Sequence, residues 1–318
     1  MTPREGLLGV SVGGLSFRNP IVLASGTAGY GHELSGVLDL DRIGGFVTKA
    51  VSLEPRAGAP APRVAEFDGG MINAVGLANP GVKAVCSDHL PWLASNHSGT
   101  RRLANIVGFT TEEFGGVVER LEAAMTGFAQ SALDGFELNV SCPNVEAGGM
   151  EFGADPRSLA AVVSTARRAT KRPIFVKLSP TLVDIGGAAR TAADAGADGI
   201  TVVNTIPGLV IDLETRRPIL GFGSGGVSGS AILPVGVLAT WKVRQAVNLP
   251  IIGVGGVSTA RDALQYIVAG ASLVGVGTAA LRDPRQPERI VEGLTDWCTT
   301  HGVDSLAEMR GTVQWPKR

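Results

Sequence analysis

Several features that mark common protein classes are scarce in this sequence. The chain of 318 residues has three cysteines, Cys86, Cys142 and Cys298, too few and too scattered for a disulfide framework, a zinc site or an iron–sulfur cluster. No apolar run approaches the length of about 18 residues that a membrane-spanning helix needs. The first five residues lack the charged-then-apolar pattern of a signal peptide. We therefore expect a cytoplasmic protein without a membrane segment.

An excess of charge of either sign is also missing. Lys and Arg number 28 against 29 Asp and Glu, so no broad basic field is present to hold nucleic acid or an anionic membrane. A small-molecule ligand fits this balance better. The length allows one large barrel or two smaller domains, and composition alone does not choose between them.

The hydrophobic pattern favours one large barrel. Eight buried-type strands are predicted at residues 20–25, 45–51, 103–109, 137–141, 173–178, 199–203, 250–256 and 272–278. Helices are predicted after them at residues 33–40, 81–93, 111–130, 157–169, 183–195, 230–247, 259–269 and 288–297, and residues 52–79 form an irregular insertion. No linker interrupts the series. We therefore predict a single (β/α)8 TIM barrel over residues 1–318, with its active site at the C-terminal ends of the strands.

Polar residues follow the predicted strands where each one ends. In a barrel these ends share one face, which would bring together residues far apart in sequence: Ser25, Lys49, Asn105, Asn139, Lys177, Asn204 and Gly255. A lone Asn or Lys at a strand end commonly has a structural or solvated role, and the alignment of seven such positions favours a binding site.

Two glycine runs, residues 253–258 and 275–278, end the seventh and eighth strands. Barrels commonly bind phosphate there through bare backbone N–H groups, so the runs predict a phosphate-bearing cofactor. The second run also fits the dinucleotide fingerprint G-x-G-x-x-A through Ala280, but it closes the chain and starts no βαβ unit. Tight packing between strand and helix is the structural alternative.

Cys142 differs from the other two cysteines in its surroundings. It lies on the loop after the fourth strand, between Ser141 and a proline, and a thiol can act as a base where its surroundings favour thiolate. Cys86 and Cys298 occur in helical patterns without polar neighbours and are expected to be small buried hydrophobes. No histidine lies at a strand end to compete for the role of base. The glycine-rich residues 148–153 are a candidate lid over this loop.

Eight segments carry a resemblance to a known family. They are residues 24–27, 48–51, 73–77, 139–144, 177–180, 203–205 and the two glycine runs, and in this order they resemble the class 1 dihydroorotate dehydrogenases over essentially the whole chain. The resemblance implies FMN-dependent oxidation of (S)-dihydroorotate to orotate in de novo pyrimidine biosynthesis. It also implies that Cys142 is the base that removes the C5 proton.

The resemblance further implies which residues bind each ligand. The substrate would be held by Lys49, Asn73, Ala74, Val75, Gly76, Leu77, Asn139, Asn204 and Thr205. FMN would be lined by Ser25, Lys49, Ala50, Asn105, Asn139, Lys177, Val203, Gly229, Gly255, Gly256, Gly277 and Thr278. No metal site is implied in this chain.

Residues 76–81 are more similar to class 1B, which passes electrons to NAD through a second subunit that carries FAD and a 2Fe–2S cluster. A homodimer core with that subunit is the expected assembly. The alternatives are a fumarate-linked class 1A enzyme, a dihydropyrimidine dehydrogenase-like reductase, and a phosphate-binding lyase or isomerase on the same barrel. Asn144 favours orotate, because dihydropyrimidine dehydrogenases tend to have His after the Cys-Pro pair.

Overall fold

Eight short runs of mainly valine, isoleucine, leucine and phenylalanine form parallel strands, since apolar side chains on both faces suit a sheet that is covered on both sides. The computed structural model, which describes residues 6–96, 99–141, 143–144 and 150–316, closes these strands into a barrel. In chain order they are β1 (Ile21–Leu23), β2 (Gly45–Val47), β3 (Arg101–Ile106), β4 (Gly135–Asn139), β5 (Ile174–Leu178), β6 (Gly199–Val202), β7 (Ile251–Val254) and β8 (Leu273–Val276). Val274 of β8 pairs with Ile21 of β1 to complete the ring. The predicted (β/α)8 barrel is confirmed.

The helices begin where the sequence offers capping side chains. Thr110, Asp155 and Thr259 each accept a hydrogen bond from a backbone N–H in the first turn of the helix that follows, and Thr259 forms the predicted capping box with Asp262. The longer helices are Thr111–Met125, Pro156–Ala169, Ile185–Asp194, Leu233–Ala246, Ala260–Ala269 and Gln286–His301. After β2 the helix runs through Gly81–Ala84, a wider π turn at Val85–His89, and Leu90–Ser95. Shorter pieces are Leu40–Arg42, Phe152–Ala154, Ser230–Ile232, Thr278–Arg282 and Leu306–Met309.

The predicted helix at residues 33–40 is wrong. Turns occupy this segment, and only Leu40–Arg42 forms one short helical turn. The carboxylate of Glu33 accepts a hydrogen bond from the Tyr30 backbone N–H at 2.9 Å, a contact that also begins helices, but the chain after it continues in turns. Gly36 lies within the same segment and lowers its helix propensity.

A hairpin that the sequence pattern did not reveal lies at the N-terminal end of the barrel. Its strands are Val10–Val12 and Leu15–Phe17. Val12 and Phe17 pack against apolar side chains from the barrel interior, including Phe175 of β5. The hairpin therefore closes the end of the barrel that is opposite the predicted active site.

Residues 52–79 are also more regular than predicted. Val64–Phe67 and Gly70–Asn73 form a hairpin, and Gly70–Asn73 pairs in turn with Gly225–Ser228, which pairs with Ile206–Gly208. This four-stranded sheet, here called the upper sheet, joins the loop after β2 to the loop after β6. A small hairpin of Ile211–Asp212 and Arg217–Pro218 extends from the second loop.

Across the described ranges, none of the helices combines the length and the hydropathy that a membrane crossing requires. The same residues contain no group of three or more His, Cys, Asp or Glu side chains arranged to hold a metal ion.

Candidate active site

A cavity of about 830 Å³ opens at the C-terminal ends of the strands. All seven predicted strand-end residues line it, because the parallel strands direct their last residues to the same face. Further predicted ligand-binding residues that line it are Ala50, Asn73, Val75, Leu77, Val203, Thr205, Gly229, Gly256, Gly277 and Thr278. The volume falls within the range of about 300–1,000 Å³ that is typical of small-molecule sites.

Two lysines supply the positive charge of this cavity. Lys177, on β5, is only 7% exposed, and its Nζ donates to Oγ of Ser25 at 3.0 Å. Lys49 follows β2, where its backbone N–H donates to the Gly29 carbonyl at 2.7 Å and the Thr48 hydroxyl donates to its carbonyl at 2.9 Å. In every ion pair among the described residues the basic partner is Arg or His, so neither lysine takes part in one. Two ammonium groups that no described carboxylate pairs with favour an anionic ligand.

Amide side chains form the next part of the wall. Asn204 follows β6, and its Nδ2 donates to Oδ1 of Asn139 at the end of β4 over 3.2 Å. The Asn204 Oδ1 accepts from the Thr205 backbone N–H at 2.8 Å, which fixes the orientation of the amide. Asn73, on the upper sheet, donates to the Gly226 carbonyl at 3.2 Å. These residues come from the end of β4, the loop after β6 and the upper sheet, and they present a polar edge to the cavity.

The glycines after β7 are required by the backbone itself. Gly255 has φ +130° and Gly256 has φ +74°, conformations that residues with a side chain rarely adopt. A Cβ on Gly256 would lie 2.7 Å from the backbone N of Leu233. The hydroxyl of Tyr266 donates to the Gly255 carbonyl at 2.7 Å and holds the turn. With no side chains in the way, a ligand can approach these backbone N–H groups closely.

Gly277 differs from these two glycines. Its φ is −116°, and a Cβ there would meet Ala24 at an ordinary distance of 3.7 Å. Next to it, the Thr278 hydroxyl donates to Oγ of Ser228 at 2.8 Å, which links the end of β8 to the upper sheet.

A buried carboxylate lies within the barrel below the cavity. Glu137 of β4 is 1% exposed and accepts hydrogen bonds from Nδ2 of Asn105 at 2.8 Å and Oγ1 of Thr201 at 2.9 Å. Asn105 is itself 1% exposed, and the Thr48 hydroxyl accepts from its backbone N–H. Through this contact, Glu137 joins the interior of the barrel to a residue of the cavity wall.

The predicted residues Ala74 and Gly76 line a second, adjoining hollow of about 460 Å³. Asn204 and Thr205 line both spaces, so the two share a wall. Gly76 has φ +69° and the next residue, Leu77, has φ +57°, an uncommon conformation for a residue with a branched side chain. Strain of this kind concentrates in ligand-binding segments.

Two polar groups in the second hollow stand out. Burial raises the pKa of the Glu151 carboxyl, while a hydrogen bond with Ser179 acts in the opposite direction. The Ser141 hydroxyl oxygen is buried and finds no hydrogen-bond partner among the described residues.

Cys142, the predicted base, lies outside the described residues, as do residues 148–149 of the candidate lid. At the far end of that segment, Phe152 is fully buried against Phe114, and the Gly153 N–H donates to the Val140 carbonyl at 2.9 Å. Cys298 is buried as expected, whereas Cys86 is only partly buried; burial raises the pKa of both thiols.

The sequence patterns missed a group of wall residues on the upper sheet and beyond the glycine turns. They are Val64, Gly69, Gly70, Met71, Ser228, Arg282 and Gln286. The dipeptide Asp68-Gly69 was the available signal, since Asp-Gly between two apolar runs is a typical hairpin turn.

Comparison with known proteins gives consistent matches over nearly the whole chain. The family model described as dihydroorotate dehydrogenase matches residues 7–297. A protein of Pelobacter propionicus named dihydroorotate dehydrogenase B (NAD(+)), catalytic subunit, is 44% identical over 305 residues, which cover 96% of this chain and 98% of the relative. A Desulforudis audaxviator protein of the same name is 46% identical over 304 residues, with 96% of both chains covered.

Among solved structures, the Eimeria tenella DHODH in complex with ferulenol superimposes with a TM-score of 0.78. It is 22% identical and covers 96% of this chain and 88% of its own. At that identity, the likeness supports the shared barrel fold.

Proposed function

Because this chain belongs to the dihydroorotate dehydrogenase family, we propose that it oxidises (S)-dihydroorotate to orotate with FMN, as the catalytic subunit of an NAD-linked enzyme of de novo pyrimidine biosynthesis. The observation that carries the proposal is a cavity lined both by two lysines, which form no ion pair with the residues that the structure describes, and by the Asn139–Asn204 amide pair. Such a site suits an anionic, planar substrate with polar ring edges.

The residues of the cavity fit FMN. Gly255 and Gly256 leave backbone N–H groups bare for a phosphate, and Gly277 and Thr278 lie beside them in the same wall. The cofactor-binding set we propose is Ser25, Lys49, Ala50, Asn105, Asn139, Lys177, Val203, Gly229, Gly255, Gly256, Gly277 and Thr278. When bound, FMN supplies the hydride acceptor of the reaction.

The protein's own residues have three tasks. Lys49 and the amides of Asn73, Asn139 and Asn204 would orient the substrate, with Thr205 and residues 74–77 around them. Cys142 would remove the proton from substrate C5, in agreement with its sequence surroundings. The ammonium of Lys177, nearly excluded from water, would offset negative charge that develops in the cavity during the reaction.

We propose the assembly and location on separate grounds. The words "catalytic subunit" in the relatives' names support a separate electron-transfer subunit, which would carry FAD and a 2Fe–2S cluster. Leu209, Leu213 and Phe222 on the loop after β6 are exposed apolar side chains that support contact with another chain, including a second copy in a homodimer.

Free thiols at Cys86 and Cys298 support a cytoplasmic location. Residues 1–318 would form one domain, since one ring contains all eight strands.

Anaerobic mixing with dihydroorotate tests the proposal. We expect the yellow protein to bleach as its flavin is reduced and to regain its colour with NAD only when the partner subunit is added. Bleaching by dihydrouracil instead would indicate the dihydropyrimidine dehydrogenase-like reductase, and turnover with fumarate alone would indicate class 1A. A colourless protein that binds no FMN would contradict the proposal and favour a lyase or isomerase.

A further inference from the structure

Glu137 is unusual because its carboxyl group is buried within the barrel and forms no ion pair with any residue that the structure describes. It is 1% exposed, and the described residues include no ion pair to it. An apolar residue at this position would avoid the cost of removing a carboxylate from water. The two hydrogen bonds that it accepts, from Asn105 and Thr201, are its described compensation.

The bond to Asn105 determines which end of an amide faces the cavity. Nδ2 of Asn105 donates to Oε1 of Glu137 at 2.8 Å, so the donor end of this amide turns toward the carboxyl group. The carbonyl Oδ1 is then the remaining polar atom, and within the described chain it accepts no hydrogen bond. The backbone of Asn105 is held as well, since its N–H donates to Thr48 and its carbonyl accepts from Val51.

We propose that Glu137 is a positioning residue that fixes Asn105 with a hydrogen-bond acceptor toward the cofactor, so that this point of the wall recognises a ring N–H. The inference rests on the proposed function, because FMN is the ligand that would supply the N–H. Glu137 itself lies below the wall and acts through Asn105.

Substitution at Glu137 separates this role from support of the fold. Glu137→Leu removes the acceptor at similar size, so the Asn105 amide can turn either end to the cavity. We expect FMN to bind the apo-protein about 10-fold more weakly, which corresponds to one hydrogen bond. Glu137→Gln can still accept from Asn105 while donating to the Thr201 hydroxyl, and we expect it to restore affinity to within about 3-fold of the parent chain.

Thr201→Val is the matched control. It removes the other hydrogen bond to the same carboxylate and leaves the Asn105–Glu137 contact in place. If Glu137 acts through Asn105, this variant keeps FMN affinity within about 2-fold, and Glu137→Leu adds nothing further in an Asn105→Ala background. Circular dichroism confirms that each variant is folded before titration.

The readout is the FMN dissociation constant from quenching of flavin fluorescence, together with the visible spectrum of the bound flavin. Equal weakening by Glu137→Leu and Thr201→Val, or additive effects of Glu137→Leu and Asn105→Ala, would overturn the inference, and so would parental affinity in Glu137→Leu. In each of these cases a parent protein that still binds FMN and bleaches with dihydroorotate leaves the proposed function standing. Failure of the parent protein to bind FMN defeats both.

Discussion

Replacing Gly256 with alanine tests whether the turn after β7 is shaped by its backbone. At φ +74°, an alanine adopts a left-handed conformation that costs about 1–2 kcal/mol. Its Cβ would also lie 2.7 Å from the backbone N and Cβ of Leu233, and such overpacking typically costs about 1–3 kcal/mol. We therefore expect the apo-protein to lose about 2–5 kcal/mol of unfolding free energy.

The same substitution should disturb the phosphate end of the cofactor site. Leu233 opens the Leu233–Ala246 helix, so the turn rather than a flexible side chain must move. Loss of one charge-assisted hydrogen bond to phosphate is worth about 1.5–3 kcal/mol, which weakens FMN binding about 10- to 150-fold. Urea titration of the apo-protein measures the first effect, and fluorescence titration with FMN measures the second.

Two further glycines separate the contributions. Gly14 has φ +78° and no heavy atom within 4 Å of the position that an alanine Cβ would occupy, so Gly14→Ala should show the conformational cost alone, about 1–2 kcal/mol. Gly277→Ala lacks both the positive φ and the close Cβ contact, and it should lose less stability than Gly256→Ala. Equal losses for Gly256→Ala and Gly14→Ala would refute the steric part of the reasoning, and unchanged FMN affinity would refute the assignment of the phosphate site.

Four further predictions address the chemistry. Cys142→Ala should retain FMN and slow flavin reduction by dihydroorotate about 10²- to 10⁴-fold in stopped-flow measurements. Limiting iodoacetamide should modify Cys142 before Cys86 and Cys298, because burial raises the pKa of the latter two thiols; peptide mass spectrometry identifies the order. Lys49→Met should weaken orotate binding about 10- to 150-fold in spectral titrations, through loss of a charged hydrogen bond. Glu151→Gln should gain stability relative to the parent chain as the pH rises above the usual carboxyl range, since the raised pKa means that folding opposes ionisation of Glu151; urea midpoints at pH 4 and pH 7 show the trend.

Each of these has a contrary outcome. Parental reduction rates in the Cys142 variant would return that thiol to a structural role. Labelling that begins at Cys298 would contradict its burial. An orotate affinity that is unchanged in Lys49→Met would mean that another residue binds the substrate carboxylate. The urea midpoints of Glu151→Gln and the parent chain could instead differ by the same amount at both pH values. That result would mean that the Glu151 carboxyl has the same pKa in the folded and unfolded chains.

The barrel could be predicted because its signals are local. Each strand is a short apolar run, and each strand end carries a polar residue or a glycine whose position depends on that run alone. The upper sheet could not be predicted in this way. Asn73 pairs with Gly226, more than 150 positions away, and the hydrophobic pattern around either residue does not indicate which distant strand it pairs with. The turns at residues 33–40 could not be told from a helix either, since the contact between the Glu33 carboxylate and the Tyr30 backbone N–H is one that helix starts also use.

The same difference between local and long-range signals applies to the candidate site. Lys177 and Asn204 were visible as isolated polar residues at strand ends, and the barrel brings them into one cavity. The links below and beside them were not visible: Glu137 resembles any buried strand residue until its contact with Asn105 is known, and Ser228 enters the wall only through the upper sheet.

The upper sheet also has a consequence for the ancestry and engineering of this enzyme. Its hydrogen-bonded ladder unites the loops after β2 and β6, and the fit is close: a Cβ on Gly225 would lie 2.5 Å from the Asn73 carbonyl oxygen. A change of length or register in one loop therefore demands a matching change in the other. The two loops are expected to be inherited together, and a chimera that exchanges substrate preference between related barrels must transplant both as one cassette.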